Sequence, residues 1–306
     1  MPSKNNPARR RLIAIVGPTG VGKTALAIDL AQRLNGEIVS ADSRQIYRGM
    51  DIGTGKPTPD QLARARHHLI DRVDPDQTYT LAEYQADAYA AIEAIFSQDK
   101  QPLLVGGTGL YVRAVCDGLI IPEVPPNAQL RAELETRSGA DLYAELQQID
   151  PAAASKIDPR NVRRTIRALE VYRETGRRFS ELGQAIAPSF TVRRIGLTLP
   201  RAELYRRVDA RVDEMLAHGW LDEARALLDK YDRSLPAMSS LGYPQLGAAL
   251  RGELSLADAV AQIKHATHRF IRHQYAWFRL SDERIRWFDL SRVTMAAAVE
   301  RVTNEE

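Results

Sequence analysis

Short apolar runs alternate with amphipathic segments along the first third of the chain. RLIAIV (residues 11–16) is a mostly apolar run that predicts a buried strand, and residues 24–34 carry apolar side chains at helical spacing. TLAEYQADAYAAIEAIF (residues 80–96) predicts another helix, which begins at a capping box of Thr80 and Glu83. The run QPLLV that follows predicts a further buried strand. Strands that alternate with helices predict an α/β fold, with a mostly parallel sheet and helices on both of its faces.

The pattern changes after the proline-rich segment IPEVPPNAQL. Only helical periodicity follows, until SFTVRRIGLTLP predicts a returning strand, so we predict an all-helical insertion domain at residues 124–190. The remaining core is discontinuous, with residues 11–123 and 191–306, and the basic residues 1–10 are expected to form a disordered tail. In the first part of the core, a helix is predicted over residues 61–67.

The segment GPTGVGKT (residues 17–24) lies between the first predicted strand and the first predicted helix. It matches the pattern G-x-x-x-x-G-K-[ST] with Gly17, Gly22, Lys23 and Thr24. Such glycines let backbone N–H groups surround an oxyanion at a helix N-terminus, the lysine adds positive charge, and the threonine hydroxyl can ligate Mg²⁺. The segment therefore predicts a P-loop NTPase-like core that binds a diphosphate or triphosphate, without identifying the group that carries the phosphates. The predicted phosphate-binding residues are Gly17, Pro18, Thr19, Gly20, Val21, Gly22, Lys23 and Thr24.

Asp42 follows the second predicted strand, in the segment VSADSRQ. The carboxyl ends of parallel strands meet at one edge of a sheet, so we expect residues 17–24, 40–45 and 106–108 to lie side by side. Asp42 could ligate a metal, act as a general base or cap a helix N-terminus. A nucleotide hydrolase usually carries a second acid at a strand end, whereas PLLVGGTG ends in glycines and Asp71 is a weak substitute. This pattern argues against hydrolysis of a nucleoside triphosphate.

Composition adds a cellular setting and a class of partner. The 306 residues carry a net charge of +3 and include one cysteine, Cys116, so no internal disulfide can form. No apolar run is long enough for a membrane span, and we expect a cytoplasmic protein without a membrane partner. Basic residues cluster late, because residues 159–178 contain seven arginines and two glutamates, and residues 264–279 contain no acid. Such clusters attract polyanions such as RNA.

The basic segment near the C-terminus predicts a helix with two distinct sides. One side carries Ile263, Phe270 and Trp277, which we expect to pack in the core rather than to stack on bases. The other side can meet phosphates. Its members are Lys264, His268, Arg272, Tyr275 and Arg279.

The order of several motifs along the chain resembles the bacterial tRNA dimethylallyltransferase family, also called tRNA isopentenyltransferases. The motifs are GPTGVGKT, ADSRQIYRGMDIGTGKP, GGTGLY, DPRNVRRTIRALEVY, RVDEML and LGYPQL, and the resemblance extends from about Leu12 to Arg279. It implies an enzyme that uses Mg²⁺ and moves a dimethylallyl group from dimethylallyl diphosphate to N6 of adenosine 37 in tRNAs that read codons beginning with U. The phosphate-binding loop would then hold the diphosphate of a prenyl donor rather than ATP.

The resemblance also implies roles for individual residues. Asp42 would be the general base for N6, and Thr24 and Arg211 would act on the leaving diphosphate, with Thr24 as the metal ligand. The family usually has a Lys-Arg pair and a threonine where this chain has Arg272-His273 and Ala276. A monomer is the usual state in the family. The residues implied to bind the anticodon stem-loop of tRNA are Asp42, Ser43, Arg44, Gln45, Thr108, Arg131, Arg163, Arg164, Thr165, Ile166, Arg167, Gly242 and Tyr243.

Two other functions remain open from the sequence. A P-loop kinase of a small metabolite would use the loop together with an arginine-rich lid, and it would turn over ATP. A non-catalytic RNA-binding protein would use the basic segments but would leave the loop and Asp42 without a role. Both alternatives predict that no prenyl group is transferred to RNA.

Overall fold

The computed structural model describes residues 10–122, 124–125, 127–182 and 185–304. The strands are β1 (Arg11–Val16), β2 (Gly36–Ser40), β3 (His67–His68), β4 (Gln101–Val105), β5 (Thr191–Thr198) and β6 (Ile285–Asp289). The helices are α1 (Lys23–Arg33), α2 (Pro59–Arg64), α3 (Leu81–Ser97), α4 (Gly109–Cys116), α5 (Ala128–Glu135), α6 (Gly139–Ile149), α7 (Pro151–Ala154), α8 (Val162–Thr175), α9 (Phe179–Leu182), α10 (Arg201–Ala217), α11 (Trp220–Lys230), α12 (Tyr243–Leu250), α13 (Leu256–Trp277) and α14 (Met295–Thr303). None of the helices in these residues combines the length and the apolar character needed to cross a membrane.

Within the described residues, six strands form one sheet in the order β3-β2-β4-β1-β5-β6. Every neighbouring pair is parallel. Alternate residues of β1 face opposite sides: Ile13 and Ile15 pack with α1, α10 and α14, whereas Leu12, Ala14 and Val16 pack with α3 and α4. All five are fully buried, as is typical of a strand in a doubly wound parallel sheet. The predicted α/β fold with helices on both faces is confirmed.

The chain divides into two compact units, and the second comprises residues 117–187. Its described residues contain α5 to α9 and one isolated bridge between Leu119 and Ala185. The sequence had placed the insertion at residues 124–190. The helices of this unit surround a core of their own, whose most buried members include Leu134, Leu142, Leu146 and Leu169.

The helix predicted over residues 61–67 lies earlier in the chain. α2 begins after Thr58, whose side chain forms a capping box, and it ends at Arg64. His67 and His68 form the edge strand β3 instead, paired with β2. The prediction was wrong at this end because a strand of two residues is too short to show a periodicity of its own.

α13 buries a different stripe from the one predicted. Its buried residues are Ala259, Ile263, Thr267, Ile271 and Gln274. Phe270 and Trp277 are each 44% exposed, so the expectation that both pack in the core is wrong. The spacing along the helix does not cause this exposure, because Phe270 lies close in angle to the buried Ile263. Both rings instead line a cavity at the ends of the strands.

Candidate active site

Three loops meet at the carboxyl ends of neighbouring strands, because β4 lies between β1 and β2. The backbone N–H of Ala41 donates to the carbonyl of Val105 at 2.8 Å, and that of Gly106 donates to the carbonyl of Ile15 at 3.2 Å. A Cβ at Gly106 would lie 2.1 Å from the carbonyl oxygen of Ala41, so this close approach requires glycine. The loops after β1, β2 and β4 thus lie side by side, as predicted.

The loop after β1 curls around the start of α1. Gly17, Gly20 and Gly22 have φ angles of 139°, 76° and 107°, which residues with a side chain rarely adopt. α1 begins at Lys23, directly after the loop, so its first N–H groups have no helical partners and are available to an anion. The Nζ of Lys23 donates to the carbonyl of Pro18 at 2.8 Å, which folds the lysine back over the loop. This is the geometry expected of a phosphate-binding loop.

Two cations and one carboxylate influence each other beside this loop. Burial lowers the pKa of the Lys23 ammonium to about 8, a decrease that Asp42 opposes and Arg211 increases. Burial also lowers the pKa of the Arg211 guanidinium, again opposed by Asp42. Because charges inside a protein are weakly screened, two cations against one carboxylate favour the binding of a polyanion.

Arg211 belongs to α10, and one face of this helix runs along the site. A Cβ at Gly20 would lie 2.5 Å from Cγ1 of Val208, which shows how closely the helix packs on the loop. One turn later, Nη2 of Arg211 donates to the carbonyl of Gly55 at 3.4 Å. A Cβ at Gly55 would lie 1.9 Å from the same nitrogen. Gly55 therefore leaves the space that the guanidinium of Arg211 occupies. This role was not predicted, although Gly55 lies in the glycine-containing segment GTGK (residues 53–56).

Asp42 is held by a local turn. Its Oδ1 accepts a hydrogen bond from the backbone N–H of Arg44 at 2.9 Å. The next helix in the chain is α2, so the interpretation of Asp42 as a helix cap is wrong. Among the described residues, Oδ2 of Asp42 has no hydrogen-bond partner, and this oxygen is available to a substrate or a cation.

Four residues predicted to bind tRNA lie around Asp42 in the first compact unit: Ser43, Arg44, Gln45 and Thr108. Oγ1 of Thr108 accepts a hydrogen bond from the backbone N–H of Ser43 at 3.0 Å and donates one to its Oγ at 3.3 Å. These bonds fasten the loop after β2 to the loop after β4. The side chains of Arg44 and Gln45 donate to backbone carbonyls of neighbouring loops.

Two cavities meet at the ends of the strands. The polar cavity, of about 490 Å³, lies over the phosphate-binding loop, and the apolar cavity, of about 630 Å³, lies beside it. They share Thr19, Asp42, Thr54, Gly107 and Arg211. The carboxylate of Asp42 and the guanidinium of Arg211 therefore lie at the junction of the two cavities. A molecule with its charged group in the polar cavity and its apolar tail in the other would have the bond between these two parts at this point. The charged lining of the polar cavity includes Lys23, Asp42, Lys56, Arg207, Arg211 and Glu214, and the apolar lining of the other includes Leu110, Val208, Val212, Met215, Trp220, Leu241, Phe270 and Trp277.

Gln274 fastens α13 to two of the strand-end loops. Its Oε1 accepts a hydrogen bond from the backbone N–H of Thr19 at 2.8 Å, and its Nε2 donates to the carbonyl of Gly107 at 3.1 Å. The residue is 3% exposed. No role was predicted for Gln274, and the only signal available was an amide at a buried position of a helix.

Glu223 of α11 is a second residue that sequence reasoning missed. Its carboxylate accepts hydrogen bonds from three consecutive backbone N–H groups, those of residues 51–53, and from the hydroxyl of Tyr243 at 2.7 Å. Tyr243 is fully buried, and a Cβ at Gly242 would lie 2.1 Å from the ring of Trp220. Gly242 and Tyr243 thus support the wall of the site from inside the protein, and their contact with tRNA stays a prediction.

In the second unit, Arg131 and Arg167 share a buried partner. Glu170 is fully buried and accepts hydrogen bonds from Nε and Nη2 of Arg131 at 2.7 and 2.8 Å, and from Nη1 of Arg167 at 2.5 Å. Burial is the largest single influence on the pKa of the Glu170 carboxyl and would raise it. The hydrogen bonds from Arg131, Arg167 and the backbone of Asn127 together outweigh burial, so the pKa is lowered. These two predicted RNA-binding residues therefore also stabilise the fold of their unit.

The other predicted residues of the second unit lie at the start of α8 and face different environments. Arg163 and Arg164 are exposed, whereas Thr165 and Ile166 are buried. The side chains of Arg163 and Arg164 are therefore accessible to solvent, and their contact with the phosphates of an RNA stays a prediction.

The polar cavity offers oxygen ligands of the kind that Mg²⁺ prefers. The hydroxyl of Thr24 and the carboxylate of Asp42 both line it. The described residues contain no group of three or more His, Cys, Asp or Glu side chains that could hold a metal. Mg²⁺ usually takes one or two protein ligands and fills its shell with phosphate oxygens and water. The donor set fits an ion held together with a diphosphate.

Comparison with known sequences gives one consistent family. The family model described as IPP transferase matches residues 45–281. The tRNA dimethylallyltransferase of Herpetosiphon aurantiacus is 54% identical over 279 residues, which cover 90% of this chain and 89% of the relative. The enzyme of that name from Thermomicrobium roseum is 48% identical, with 97% of this chain and 93% of the relative covered.

Solved structures show the same relationship. The full-length tRNA isopentenylpyrophosphate transferase of Bacillus halodurans has a TM-score of 0.74 and 38% identity, over 97% of this chain and 95% of that one. A eukaryotic dimethylallyltransferase acting on tRNA has a TM-score of 0.82 and 27% identity, over 97% of this chain and 79% of that one. The chain therefore belongs to the IPP transferase family.

Proposed function

We propose that this protein transfers a dimethylallyl group from dimethylallyl diphosphate to N6 of adenosine 37 in tRNAs that read codons beginning with U. The names of its relatives support a prenyl-transferring enzyme that acts on tRNA, and they give no support to a small-molecule kinase. The observation that carries the proposal is the junction of the polar and apolar cavities at Asp42 and Arg211.

The donor spans the junction. Its diphosphate binds in the polar cavity, against the loop N–H groups, Lys23 and Arg211. Its five-carbon tail passes into the apolar cavity, where Val212 and Met215 continue the face of α10 that carries Arg211. The reacting allylic carbon then lies beside Asp42.

The acceptor base enters the apolar cavity from solvent. A base stacked in an RNA loop cannot reach an enclosed site, so the adenosine must leave the stack. The hydrogen-bonded pair of Ser43 and Thr108 lines this cavity next to Asp42, and we assign it to the edge of the adenine ring. N6 then faces the allylic carbon.

The chemical step forms the bond from N6 to the allylic carbon as the bond from that carbon to the diphosphate oxygen breaks. The lone pair of N6 is delocalised into the ring, so the amine is a weak nucleophile that becomes acidic as it attacks. Oδ2 of Asp42 accepts the proton from N6. The electron pair of the broken bond leaves with the diphosphate, and Lys23, Arg211 and the loop N–H groups stabilise the increasing charge.

Magnesium belongs to the proposal as a second source of positive charge. The hydroxyl of Thr24 would hold the ion against the diphosphate, and phosphate oxygens and water would fill its remaining positions. When bound there, Mg²⁺ supplies Lewis-acid stabilisation of the leaving oxygens.

We assign the exposed arginines of α8 to binding of the RNA backbone. Arg163 and Arg164 would neutralise phosphates of the anticodon stem-loop without reading its sequence. Recognition of the target then depends on the cavity beside Asp42.

A transfer assay tests the function. The protein is mixed with Mg²⁺, labelled dimethylallyl diphosphate and an unmodified tRNA that has adenosine at positions 36 and 37, and a matched tube receives labelled ATP. We expect label from the prenyl donor in the RNA and intact ATP. Consumption of ATP without transfer from the prenyl donor would identify a kinase or an ATPase instead.

A further inference from the structure

Two aromatic side chains stand exposed at the rim of the apolar cavity. Phe270 and Trp277 of α13 are each 44% exposed, and both line the cavity. They are seven residues apart, so they lie on the same side of the helix. Leu110 of α4 lines the same cavity and is 40% exposed. The rim is therefore an apolar surface open to solvent, continuous with the space assigned to the acceptor base.

The aromatic rim is held rigidly relative to the phosphate-binding loop. Gln274 lies between the two aromatic residues and is hydrogen-bonded to Thr19 and Gly107. A Cβ at Gly109 would lie 2.3 Å from Cγ of Trp277, so the indole packs directly on the backbone at the start of α4. Because the indole of Trp277 is already fixed in place, it loses little conformational entropy when a ligand stacks on it.

The charges around the rim favour a nucleic acid. No acid occurs in residues 264–279. Arg269 and His273 are exposed on α13, and Arg279 is exposed just after its end. Lys264 and His268, by contrast, are paired with acids of α10, which corrects the expectation that both would meet phosphates. Exposed aromatic rings near arginines such as Arg269 and Arg279 are typical of surfaces that bind single-stranded RNA, with bases stacked on the rings and phosphates near the cations.

We propose that Phe270 and Trp277 form a stacking platform for a base next to the target adenosine in the RNA loop. The inference rests on the proposed function, because the target adenosine is what brings the RNA to this cavity. When that adenosine leaves the stack, the neighbouring base loses a stacking partner, and an aromatic ring at the rim replaces it. The platform recognises an unpaired, unstacked base of any sequence and thus selects a loop over a duplex.

The test uses a stem-loop RNA that carries 2-aminopurine at one of the two positions flanking the target adenosine. The fluorescence of this base is quenched when it stacks, so binding to the unaltered protein is expected to leave it quenched at one of these positions. In Phe270→Leu and Trp277→Leu, which keep an apolar side chain but remove the ring, the fluorescence should increase on binding. The KM for RNA should rise at least about fivefold, whereas the KM for dimethylallyl diphosphate should not change.

Two controls separate stacking from other effects. Leu256 is also 44% exposed on α13 and does not line the cavity, so Leu256→Ala should bind RNA like the unaltered protein. An RNA with an abasic site at the flanking position should bind the unaltered protein more weakly, but the same lesion should have little further effect in Phe270→Leu.

The proposal is overturned if both leucine variants bind the stem-loop with unaltered KM and unaltered 2-aminopurine signal. It is also overturned if the rim proves to be a contact between two copies of the chain, which sedimentation would show as a dimer that Phe270→Leu dissociates. Should Trp277→Leu fail to fold, Phe270→Leu alone decides the outcome. Failure of the proposed function looks different, because the unaltered protein itself would then transfer no prenyl group.

Discussion

The side-chain oxygen of Gln274 accepts a 2.8 Å hydrogen bond from the backbone N–H of Thr19, in the phosphate-binding loop. The nitrogen of the same amide donates a hydrogen bond to the carbonyl of Gly107. One buried side chain thus joins α13, which carries the aromatic rim of the acceptor cavity, to the loop assigned to the diphosphate. The donor and acceptor halves of the site are connected through this residue.

Gln274→Leu should weaken both halves of the site. The substitution leaves the N–H of Thr19 and the carbonyl of Gly107 without their buried partner, which costs about 1–3 kcal/mol for each unsatisfied group. We expect a lower free energy of unfolding in denaturant titrations and a higher KM for dimethylallyl diphosphate. A normal donor KM in this variant would show that Gln274 only stabilises the fold.

Gly55→Ala should act on catalysis through Arg211. The new Cβ would lie 1.9 Å from Nη2 of Arg211 and would displace the guanidinium from the junction of the cavities. We expect a loss of kcat similar to that of Arg211→Ala, and little further loss when the two changes are combined, because both remove the same interaction.

Gly252→Ala is the matched control for Gly55→Ala. Gly252 has φ of 74°, close to the 61° of Gly55, but a Cβ there would meet nothing within 4 Å. Its substitution therefore carries similar backbone strain, of about 1 kcal/mol, without the clash. If both alanine variants lose kcat to the same extent, the clash with Arg211 is not the cause.

Asp42→Asn separates the role of Asp42 as a base from its role in the local turn. Asparagine keeps an oxygen that can accept the hydrogen bond from the N–H of Arg44, but it cannot accept a proton from N6. We expect kcat to fall by about 100-fold or more, and the affinity for RNA to stay close to normal. Single-turnover rates and filter binding measure the two quantities. A variant that transfers at the normal rate would remove Asp42 as the general base.

The lowered pKa of Lys23 predicts a pH dependence of donor binding. Burial brings the pKa down to about 8, so the ammonium of the free protein loses its proton, and its attraction for the diphosphate, as pH rises through 8. We expect kcat/KM for dimethylallyl diphosphate to fall above this pH. Bound diphosphate favours the charged lysine, so kcat at saturating donor should fall less. The decline in kcat/KM should be absent in Lys23→Arg, and a wild-type profile that stays flat well above pH 8 would contradict the assignment.

The exposed arginines of α8 should determine part of the salt dependence of RNA binding. Replacement of Arg163 and Arg164 by alanine should weaken binding of all stem-loops alike and make the plot of log K against log salt less steep by about one unit for each residue. Arg225→Ala, which removes an exposed arginine of α11, serves as the control. Equal slopes in the two variants would leave Arg163 and Arg164 without a role in phosphate contact.

Local patterns accounted for strands β1, β2, β4 and β5, the phosphate-binding loop and the position of Asp42, whereas β3 and β6 were not predicted. Each depends on residues close together in the chain: a run of apolar residues, a spacing of glycines, or an acid at the end of a strand. The alternation of strands and helices then predicted that the loops after β1, β2 and β4 lie side by side, and these three strands are neighbours in the observed sheet.

The contacts that complete the site could not be predicted in this way. Gln274 and Thr19 are 255 positions apart, and Glu223 lies 170 positions from Gly53. No local periodicity reports such pairs, because the packing of α11 and α13 on the strand ends creates them. The exposure of Phe270 and Trp277 has the same origin, since it depends on which neighbours pack against α13 and not on spacing along the helix.

The most direct test of the central claim is to identify the modified nucleoside. A tRNA incubated with the protein, Mg²⁺ and dimethylallyl diphosphate is digested to nucleosides, and the products are separated and identified by mass. The account predicts N6-dimethylallyladenosine from position 37, and no product when that residue is replaced by a purine nucleoside that lacks the N6 amine. A prenyl group on another atom or position, or an unmodified tRNA with a donor that is merely hydrolysed, would contradict it.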